Sequence, residues 1–320
     1  MKVKYLLGIL LLCLNVIVFV SCHTPSKYVF QYVGLDKFNG DTLYLWRTTA
    51  DRLKSDKDYG KKALASQVIK NGKVTFTGLI DTLHLYSVEG KNCYTYFYPE
   101  AGEIICKYSG DIKYSNPQSL AKYYGALMNN GFPIDESRKF ISVNLKNALG
   151  VYLLDHIGCY PDELDEIYEN SNPAMRDTVS LFLSLKKQLS ETKKLNVGDM
   201  YIDFKQKGFE EDSIYFSNYF CKNKKICLFF ANGDYRSFFI KMEELNDNYN
   251  NISFVGYSNM YIVNKKDMNI LKKKYNIHLI DDRGNYKKTV MYKYRVDYRM
   301  KMNYFLIFDE EGYLLEKYIN

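Results

Sequence analysis

Apolar and polar residues alternate in short runs over residues 28–112. The first two runs, at 29–33 and 42–46, have the two-residue period that is typical of half-buried strands. Further runs of this kind lie at 73–76, 83–88 and 94–97, and Asn-Gly pairs supply turns that tolerate positive φ. Strands that recur about every ten residues predict an antiparallel β-sandwich or partial barrel, so residues 28–112 form the first predicted domain.

Over residues 113–194 the apolar positions recur with the period of a helix, for example at 179–189. Pro161 is followed by acidic residues and is typical of a helix start, because proline suits the first turn and carboxylates are favourable near the positive end of the helix dipole. His156 and Cys159 lie on one predicted helix, but no second pair of ligands completes a metal site. We predict a helical linker region without metal or catalytic chemistry.

Strands and helices alternate over residues 195–320. Residues 226–231 form a continuous apolar run, as expected for a strand that is buried on both faces of a sheet. The next segment has Phe238, Met242 and Leu245 at helical spacing, which predicts an amphipathic helix with this stripe facing inward.

The remaining apolar runs complete a recognisable order of elements. A strand is predicted at 252–256, a helix at 267–275, and a closing hairpin from strands at 304–309 and 313–317. Strand, helix, strand, helix and hairpin are the order of a thioredoxin-like α/β domain. The whole chain is therefore predicted to be a multidomain α+β protein.

Three segments of this last part carry recognisable motifs. Residues 195–204 contain Val-Gly-Asp followed by Asp-Phe, residues 229–237 read Phe-Phe-Ala-Asn-Gly-Asp-Tyr-Arg-Ser, and residues 305–312 contain an Asp three residues before a Gly. They resemble the opening, the Phe-Trp-Ala-Ser-Trp-Cys-x-x-Cys segment and the closing hairpin of one family, the thioredoxin-like, peroxiredoxin-related domain of membrane-anchored thiol-disulfide oxidoreductases of Bacteroidetes. The β-rich and helical parts are similar to the uncharacterised domain and linker that precede this domain in such lipoproteins. The resemblance implies a thioredoxin-like fold and an ancestry in disulfide exchange.

The sequence departs from that family at the redox site. Asp234 and Ser237 occupy the places of the two cysteines, and Asn303 occupies the place of the cis-proline that faces them. Disulfide exchange needs a thiolate at a helix N-terminus, which neither a carboxylate nor a hydroxyl replaces. We therefore expect Asp234 to be a helix N-cap, and we expect neither a catalytic residue nor a cofactor at this degenerate site. The resemblance is to enzymes, whereas these residues argue against an enzyme.

The remaining cysteines leave two hypotheses open. Cys93 and Cys106 flank a segment that could fold as a hairpin and join them in a disulfide in an oxidising compartment. Cys221 and Cys227, or Cys159, could instead carry disulfide exchange of a non-standard design. That activity requires an exposed, titratable thiol, and Cys227 lies in a predicted buried strand.

Residues 1–21 have the pattern of a signal peptide. Lys2 and Lys4 precede a short apolar run that ends in small and polar residues. The segment 19–22 resembles a lipobox, in which Cys22 is diacylated and becomes the new N-terminus. Residues 22–27 then form a lipidated tether, and we expect a protein anchored in the cell-envelope membrane and facing the periplasm. The alternative is an ordinary secretory signal with Cys22 as a plain thiol.

Charge and composition narrow the function classes. Removing Lys2 and Lys4 with the signal peptide lowers the formal charge from +7 to +5, and no basic block predicts nucleic-acid binding. The first hypothesis is a redox-inactive lipoprotein that binds an unknown protein or envelope ligand; the second is the thiol-disulfide exchange described above. The third is glycan or peptide binding by aromatic residues of the β-rich domain, namely Trp46, Tyr94, Tyr96 and Tyr98. The 31 tyrosines could also reflect the composition of an AT-rich genome.

Overall fold

The computed structural model describes residues 26–48, 63–208, 213–258, 274–281, 288–297, 299–300 and 302–319. Its contacts divide the chain into two compact units, residues 1–136 and residues 137–320. The predicted signal peptide and Cys22 lie outside the described residues. The second unit therefore contains most of the predicted helical linker as well as the predicted thioredoxin-like domain. The predicted boundaries after residues 112 and 194 remain predictions.

The first unit contains two four-stranded sheets. Its strands are β1 (Lys27–Val33), β2 (Thr42–Thr48), β3 (Ala65–Val68), β4 (Lys73–Leu79), β5 (Leu85–Glu89), β6 (Tyr94–Phe97), β7 (Gly102–Lys107) and β8 (Ile112–Tyr114). The first sheet has the order β4-β1-β7-β8 and the second sheet has the order β3-β2-β5-β6. All neighbours in these sheets are antiparallel except β1 and β7, which are parallel.

One apolar core lies between these two sheets. Side chains alternate along each strand, so the inward positions of both sheets enter the same buried cluster. At its centre Phe30 of the first sheet stacks on Phe97 of the second sheet, with ring centroids 4.1 Å apart. Burying apolar side chains of this size contributes about 1.5–3 kcal/mol each. The predicted β-sandwich is confirmed.

Six helices follow the sandwich in the chain. They are α1 (Leu120–Asn129), α2 (Ile134–Asn144), α3 (Ala148–Ile157), α4 (Leu164–Asn170), α5 (Pro173–Arg176) and α6 (Ser180–Glu191). A 3-10 turn at Pro161–Glu163 leads into α4, in agreement with the helix start that Pro161 predicts. Asn147 caps α3, because its side-chain oxygen accepts hydrogen bonds from the backbone N–H groups of Leu149 and Gly150. No helix among the described residues combines the length and hydrophobicity needed to cross a bilayer.

The C-terminal part is built on one five-stranded sheet, the central sheet. The elements of this part are β9 (Lys205–Gln206), β10 (Ile214–Tyr215), β11 (Lys225–Ala231), α7 (Tyr235–Asn248), β12 (Ile252–Ser258), β13 (Ile277–Leu279), α8 (Val290–Lys293), β14 (Asn303–Phe308) and β15 (Leu314–Ile319). The central sheet has the order β13-β12-β11-β14-β15. Strands β11, β12 and β13 are parallel, whereas β14 and β15 run antiparallel as a closing hairpin. This arrangement confirms the thioredoxin-like fold. The predicted helix at 267–275 lies outside the described residues up to residue 273.

Strand β11 is buried on both of its faces. Leu228 and Phe230 point into one apolar cluster, whereas Cys227 and Phe229 point into another cluster together with the α7 residue Phe238. A strand with apolar neighbours on both sides has no position that benefits from a polar side chain. This explains the continuous apolar run in the sequence.

Gly256 of β12 marks a close approach within the central sheet. A Cβ atom at this position would overlap the carbonyl oxygen of Phe229 on β11. Gly125 of α1, by contrast, has no atom within 4 Å of the position of a Cβ. Packing therefore requires a glycine at position 256 but not at position 125.

We predict that Gly256→Ala destabilises the protein by about 1–3 kcal/mol, because overpacking a core forces backbone shifts. Gly125→Ala should leave stability unchanged or raise it by up to about 1 kcal/mol, because alanine favours a helix. Urea unfolding followed by circular dichroism measures both effects. Equal stability of the two variants would contradict the close approach.

Candidate functional site

The candidate site lies where the loop after β11 enters α7. Asp234 is the N-cap of this helix, and its carboxylate accepts a hydrogen bond of 2.8 Å from the backbone N–H of Ser237. The Ser237 hydroxyl donates to the backbone carbonyl of Asp234 at 2.9 Å. A charged cap is favourable here because the carboxylate meets the positive end of the helix dipole. These bonds agree with the N-cap role predicted for Asp234.

Asn303, the first residue of β14, joins this turn to the central sheet. Its fully buried side chain donates from Nδ2 to the carbonyl oxygen of Asp234 at 2.9 Å and to Oγ of Ser237 at 3.1 Å. Its Oδ1 accepts from the backbone N–H of Gly233 at 3.1 Å. Gly233, Asp234, Ser237 and Asn303 thus form one hydrogen-bonded group, the Asn303 clasp. The three positions singled out in the sequence come together in it.

The clasp lies close to the segment that precedes β14. A Cβ at Gly233 would be 2.8 Å from Cα of Met302, so this position excludes a side chain. Asn232 donates from its backbone N–H to the carbonyl oxygen of Met302 at 3.2 Å and from Nδ2 to that of Met300 at 2.6 Å. The loop before α7 is therefore bonded along its length to the segment before β14.

The chemistry available at the clasp is limited. The hydroxyl hydrogen of Ser237 is donated to a backbone carbonyl, and the Asp234 carboxylate accepts a backbone N–H, so neither group is arranged as a nucleophile with its base. His278 contacts Asn276, whose Oδ1 is 3.1 Å from Nε2, and packs on the ring of Tyr219. The hydrogen bonds of the clasp are those that stabilise a helix start.

Two of the candidate redox cysteines are buried thiols. Burial raises the pKa of Cys227 well above its ordinary value. Burial, and then the nearby charge of Asp297, also raise the pKa of Cys159. A raised pKa keeps a thiol protonated at neutral pH, whereas disulfide exchange requires the thiolate. Cys221 is the one exposed cysteine among the described residues.

A partly buried ion cluster contacts the segment before β14. The guanidinium of Arg299 pairs with Asp155, at the end of α3, and with Asp297, each at 2.6 Å. The Asp297 carboxylate also accepts from the backbone N–H of Cys159 at 3.3 Å. The sequence analysis missed this cluster, because Asp155 and Arg299 are 144 residues apart and no local pattern relates them.

Two further ion pairs join the helical region to the C-terminal part of the chain. Arg295 pairs with Asp165 of α4 at 2.8 Å, and Lys317 of β15 pairs with Asp162 at 2.8 Å. These two pairs are partly exposed, since the side chains of Asp165 and Asp162 are 53% and 39% exposed, so each pair contributes less than a fully buried pair would. Helices α3 and α4 therefore support the segment next to the clasp, in addition to connecting two parts of the chain.

The proposed disulfide between Cys93 and Cys106 is not formed, and the predicted hairpin between them is wrong. Cys93 precedes β6 in the second sheet, whereas Cys106 belongs to β7 in the first sheet, so β6 and β7 are not paired. Both cysteines are free and buried in the sandwich core, where Sγ of Cys106 lies 3.2 Å from Oγ1 of Thr95. Burial raises the pKa of both thiols.

The other predicted positions are distributed over both units. Among the aromatic residues, Tyr98 is buried, whereas Trp46 and Tyr96 are half-buried and Tyr94 is exposed. His156 and Cys159 belong to the α3 region, and the described residues contain no group of three or more His, Cys, Asp or Glu side chains that could hold a metal ion.

Comparison with known proteins shows similarity only among solved structures. No family model matches the chain, and no curated protein matches it. The thioredoxin domain of a thiol-disulfide oxidoreductase from Bacteroides vulgatus is 16% identical and has a TM-score of 0.31, with 39% of this chain and 89% of that chain covered. A thiol-disulfide oxidoreductase from Bacteroides fragilis is 14% identical with a TM-score of 0.29, covering 37% and 89%. A thiol peroxidase from Chromobacterium violaceum is 10% identical with a TM-score of 0.31, covering 40% and 79%. The fold assignment rests on the order and direction of the strands described above.

We predict that Asn303→Leu destabilises the protein by about 1–3 kcal/mol or more, because it leaves the buried N–H of Gly233 without its acceptor and removes two further bonds. Ser237→Ala removes one hydroxyl and should cost about 0.5–1.5 kcal/mol. Urea unfolding of both variants measures the difference. A smaller loss for Asn303→Leu than for Ser237→Ala would contradict the role assigned to the amide.

We also predict that iodoacetamide at pH 8 alkylates Cys221 in the native protein and leaves Cys93, Cys106, Cys159 and Cys227 unmodified. The four buried thiols are shielded and their raised pKa values keep them protonated. Mass spectrometry of peptides locates the label, and a urea-denatured sample in which all five react is the control. Native labelling of Cys159 or Cys227 would contradict this assignment.

Proposed function

We propose that this protein is a lipid-anchored envelope protein whose thioredoxin-like domain has lost disulfide exchange and acts in binding. The observation that carries the proposal is the Asn303 clasp. It occupies the helix start where the resembling oxidoreductases carry their cysteine pair, and its polar atoms are bonded to one another. A fold can persist after its ancestral chemistry is lost, because function depends on the site and not on the scaffold.

The remaining cysteines support the same proposal. Exchange through Cys227 would have to begin at a fully buried thiol with a raised pKa. Cys159 is in the same situation, next to the ion cluster of Asp297 and Arg299. Among the described residues, no second exposed thiol is present to resolve a mixed disulfide formed by Cys221.

The role proposed in the envelope is recognition of a protein or another envelope ligand. A lipid on Cys22 would hold the two units at the membrane surface, and stable anchoring needs more than one acyl chain. Such a protein would require neither a metal nor a cofactor.

We predict that the purified protein does not reduce insulin above the dithiothreitol background, because no exposed pair of thiols is present at α7. The control is the Cys221→Ser/Cys227→Ser variant, which should give the same rate. Turbidity of precipitating insulin B chain measures the reaction. Turnover in the unmodified protein that vanishes in the double variant would contradict the proposal and assign the activity to these two cysteines.

We further predict that Cys22→Ser abolishes incorporation of an azide-tagged palmitate in a bacterial host, because the acylated sulfur is removed. Cys13→Ser is the matched control and should leave labelling unchanged, since Cys13 lies in the apolar run of the proposed signal peptide. Gel fluorescence after coupling of a dye measures the label. Label retained on Cys22→Ser would contradict lipid anchoring at this residue.

A further inference from the structure

Two helical segments of the second unit form the walls of a cavity of about 400 Å³. One wall runs from Arg138 to Leu145, along α2 and the residue after it, and the other runs from Glu163 to Asn170, into and along α4. Each wall includes lining residues at the spacing i, i+3, i+4 and i+7, which places them on one face of a helix. We name this cavity the helical cleft. All of its lining residues belong to the described stretch 63–208.

Contacts between the two walls bound the cleft at both of its ends. At one end Arg138 pairs with Glu163, and its Cζ atom lies 3.3 Å from the ring centroid of Tyr160. At the other end Nδ2 of Asn172 donates to the carbonyl oxygen of Lys146 at 3.4 Å. On the first wall these contacts start from positions 138 and 146, which a helical rise of 1.5 Å per residue separates by about 12 Å. A ligand longer than about 12 Å would have to cross one of these contacts.

The base of the cleft is apolar. Ile141 and Leu145 of one wall and Ile167 of the other are buried side chains that line it. Leu154 of α3 lines it as well, together with Gly158, the residue at which α3 ends. A cavity of this volume with a mostly apolar lining and a few polar groups is typical of a small-molecule site. The apolar part of a ligand would displace water from this base, which is favourable.

Charged side chains of both signs lie around the cleft. Of the four charged residues in the lining, Arg138 and Glu163 pair with each other, which leaves Lys139 on one wall and Glu166 on the other. Both of these residues are exposed, and Oε1 of Glu166 lies 3.5 Å from Nδ2 of Asn170. A ligand with a single charge would be attracted by one wall and repelled by the other. The mouth of the cleft therefore suits a ligand that has an apolar body and two separated, opposite charges.

We propose that the helical cleft binds an apolar dipeptide with free ends. The two side chains of the dipeptide pack on the apolar base, its carboxylate pairs with Lys139, and its ammonium pairs with Glu166. The two charges of a free amino acid share one carbon atom, whereas those of a dipeptide are separated and can reach opposite walls. Two extended residues span about 7 Å, which fits between the end contacts. The clasp residues are not part of this lining, so the site requires neither the lipid anchor nor the loss of disulfide exchange.

Isothermal titration calorimetry of the purified full-length protein tests this site. Leucyl-leucine should bind saturably with one molecule per chain. N-acetyl-leucyl-leucinamide has the same side chains without charged ends, and it should bind about two- to tenfold more weakly. Lys139→Gln and Glu166→Gln should each weaken the binding of leucyl-leucine about two- to fivefold and leave the binding of the blocked dipeptide unchanged. A purely structural role of these two residues would affect both ligands equally.

Ser142→Trp is the blocking variant, because Ser142 is an exposed lining residue and an indole ring at this position would fill the cleft. It should abolish binding. Val143→Trp is the matched control, since Val143 is 75% exposed and is not part of the lining, and it should bind as the unmodified protein does.

Three results would overturn the assignment of this ligand. The first is the absence of saturable binding of leucyl-leucine, or binding that Ser142→Trp leaves unchanged. The second is equally tight binding of the blocked dipeptide, which would indicate an internal segment of a protein chain as the occupant. The third is tighter binding of decanoate than of leucyl-leucine, which would indicate a lipid.

Discussion

The burial of β11 on both faces is the constraint on which the second unit depends. Because β11 is the middle strand, its register fixes β12 on one side and β14 on the other. That register places Asn303 opposite Ala231, at the end of β11 where the chain turns toward α7. This register brings the side-chain amide of Asn303 within hydrogen-bonding distance of Asp234 and Ser237. The clasp is a consequence of strand pairing as much as of side-chain chemistry.

The clasp also accounts for how a thioredoxin-like domain can keep its fold without the cysteine pair. The first turn of a helix has backbone N–H groups without partners inside the helix, and these groups need acceptors. Asp234 and the Oδ1 atom of Asn303 satisfy two of the N–H groups in this region, those of Ser237 and Gly233. The ion cluster of Asp155, Asp297 and Arg299 holds the neighbouring segment. These polar groups thus contribute to stability where α7 begins.

The sequence predicted those features that depend on local periodicity. The apolar run at 226–231, the stripe on α7 and the N-cap at Asp234 each carry a short-range signal, so their structures could be anticipated. The order of the strands in the β-sandwich carries no such signal. The parallel pairing of β1 with β7 and the separation of β6 from β7 depend on contacts between residues far apart in the chain. For that reason the predicted hairpin next to Cys106 was wrong, and the partners of Arg299 were not found.

The account is tested most directly by returning cysteines to the site. Asp234→Cys/Ser237→Cys, made in a Cys221→Ser background, places two thiols at the first turn of α7. The account predicts that this folded variant forms a disulfide between residues 234 and 237 under mild oxidation and reduces insulin faster than the same background without the two cysteines. A folded variant whose two thiols stay free under oxidation would contradict it, because the start of α7 would then lack the geometry of a thioredoxin-like redox site.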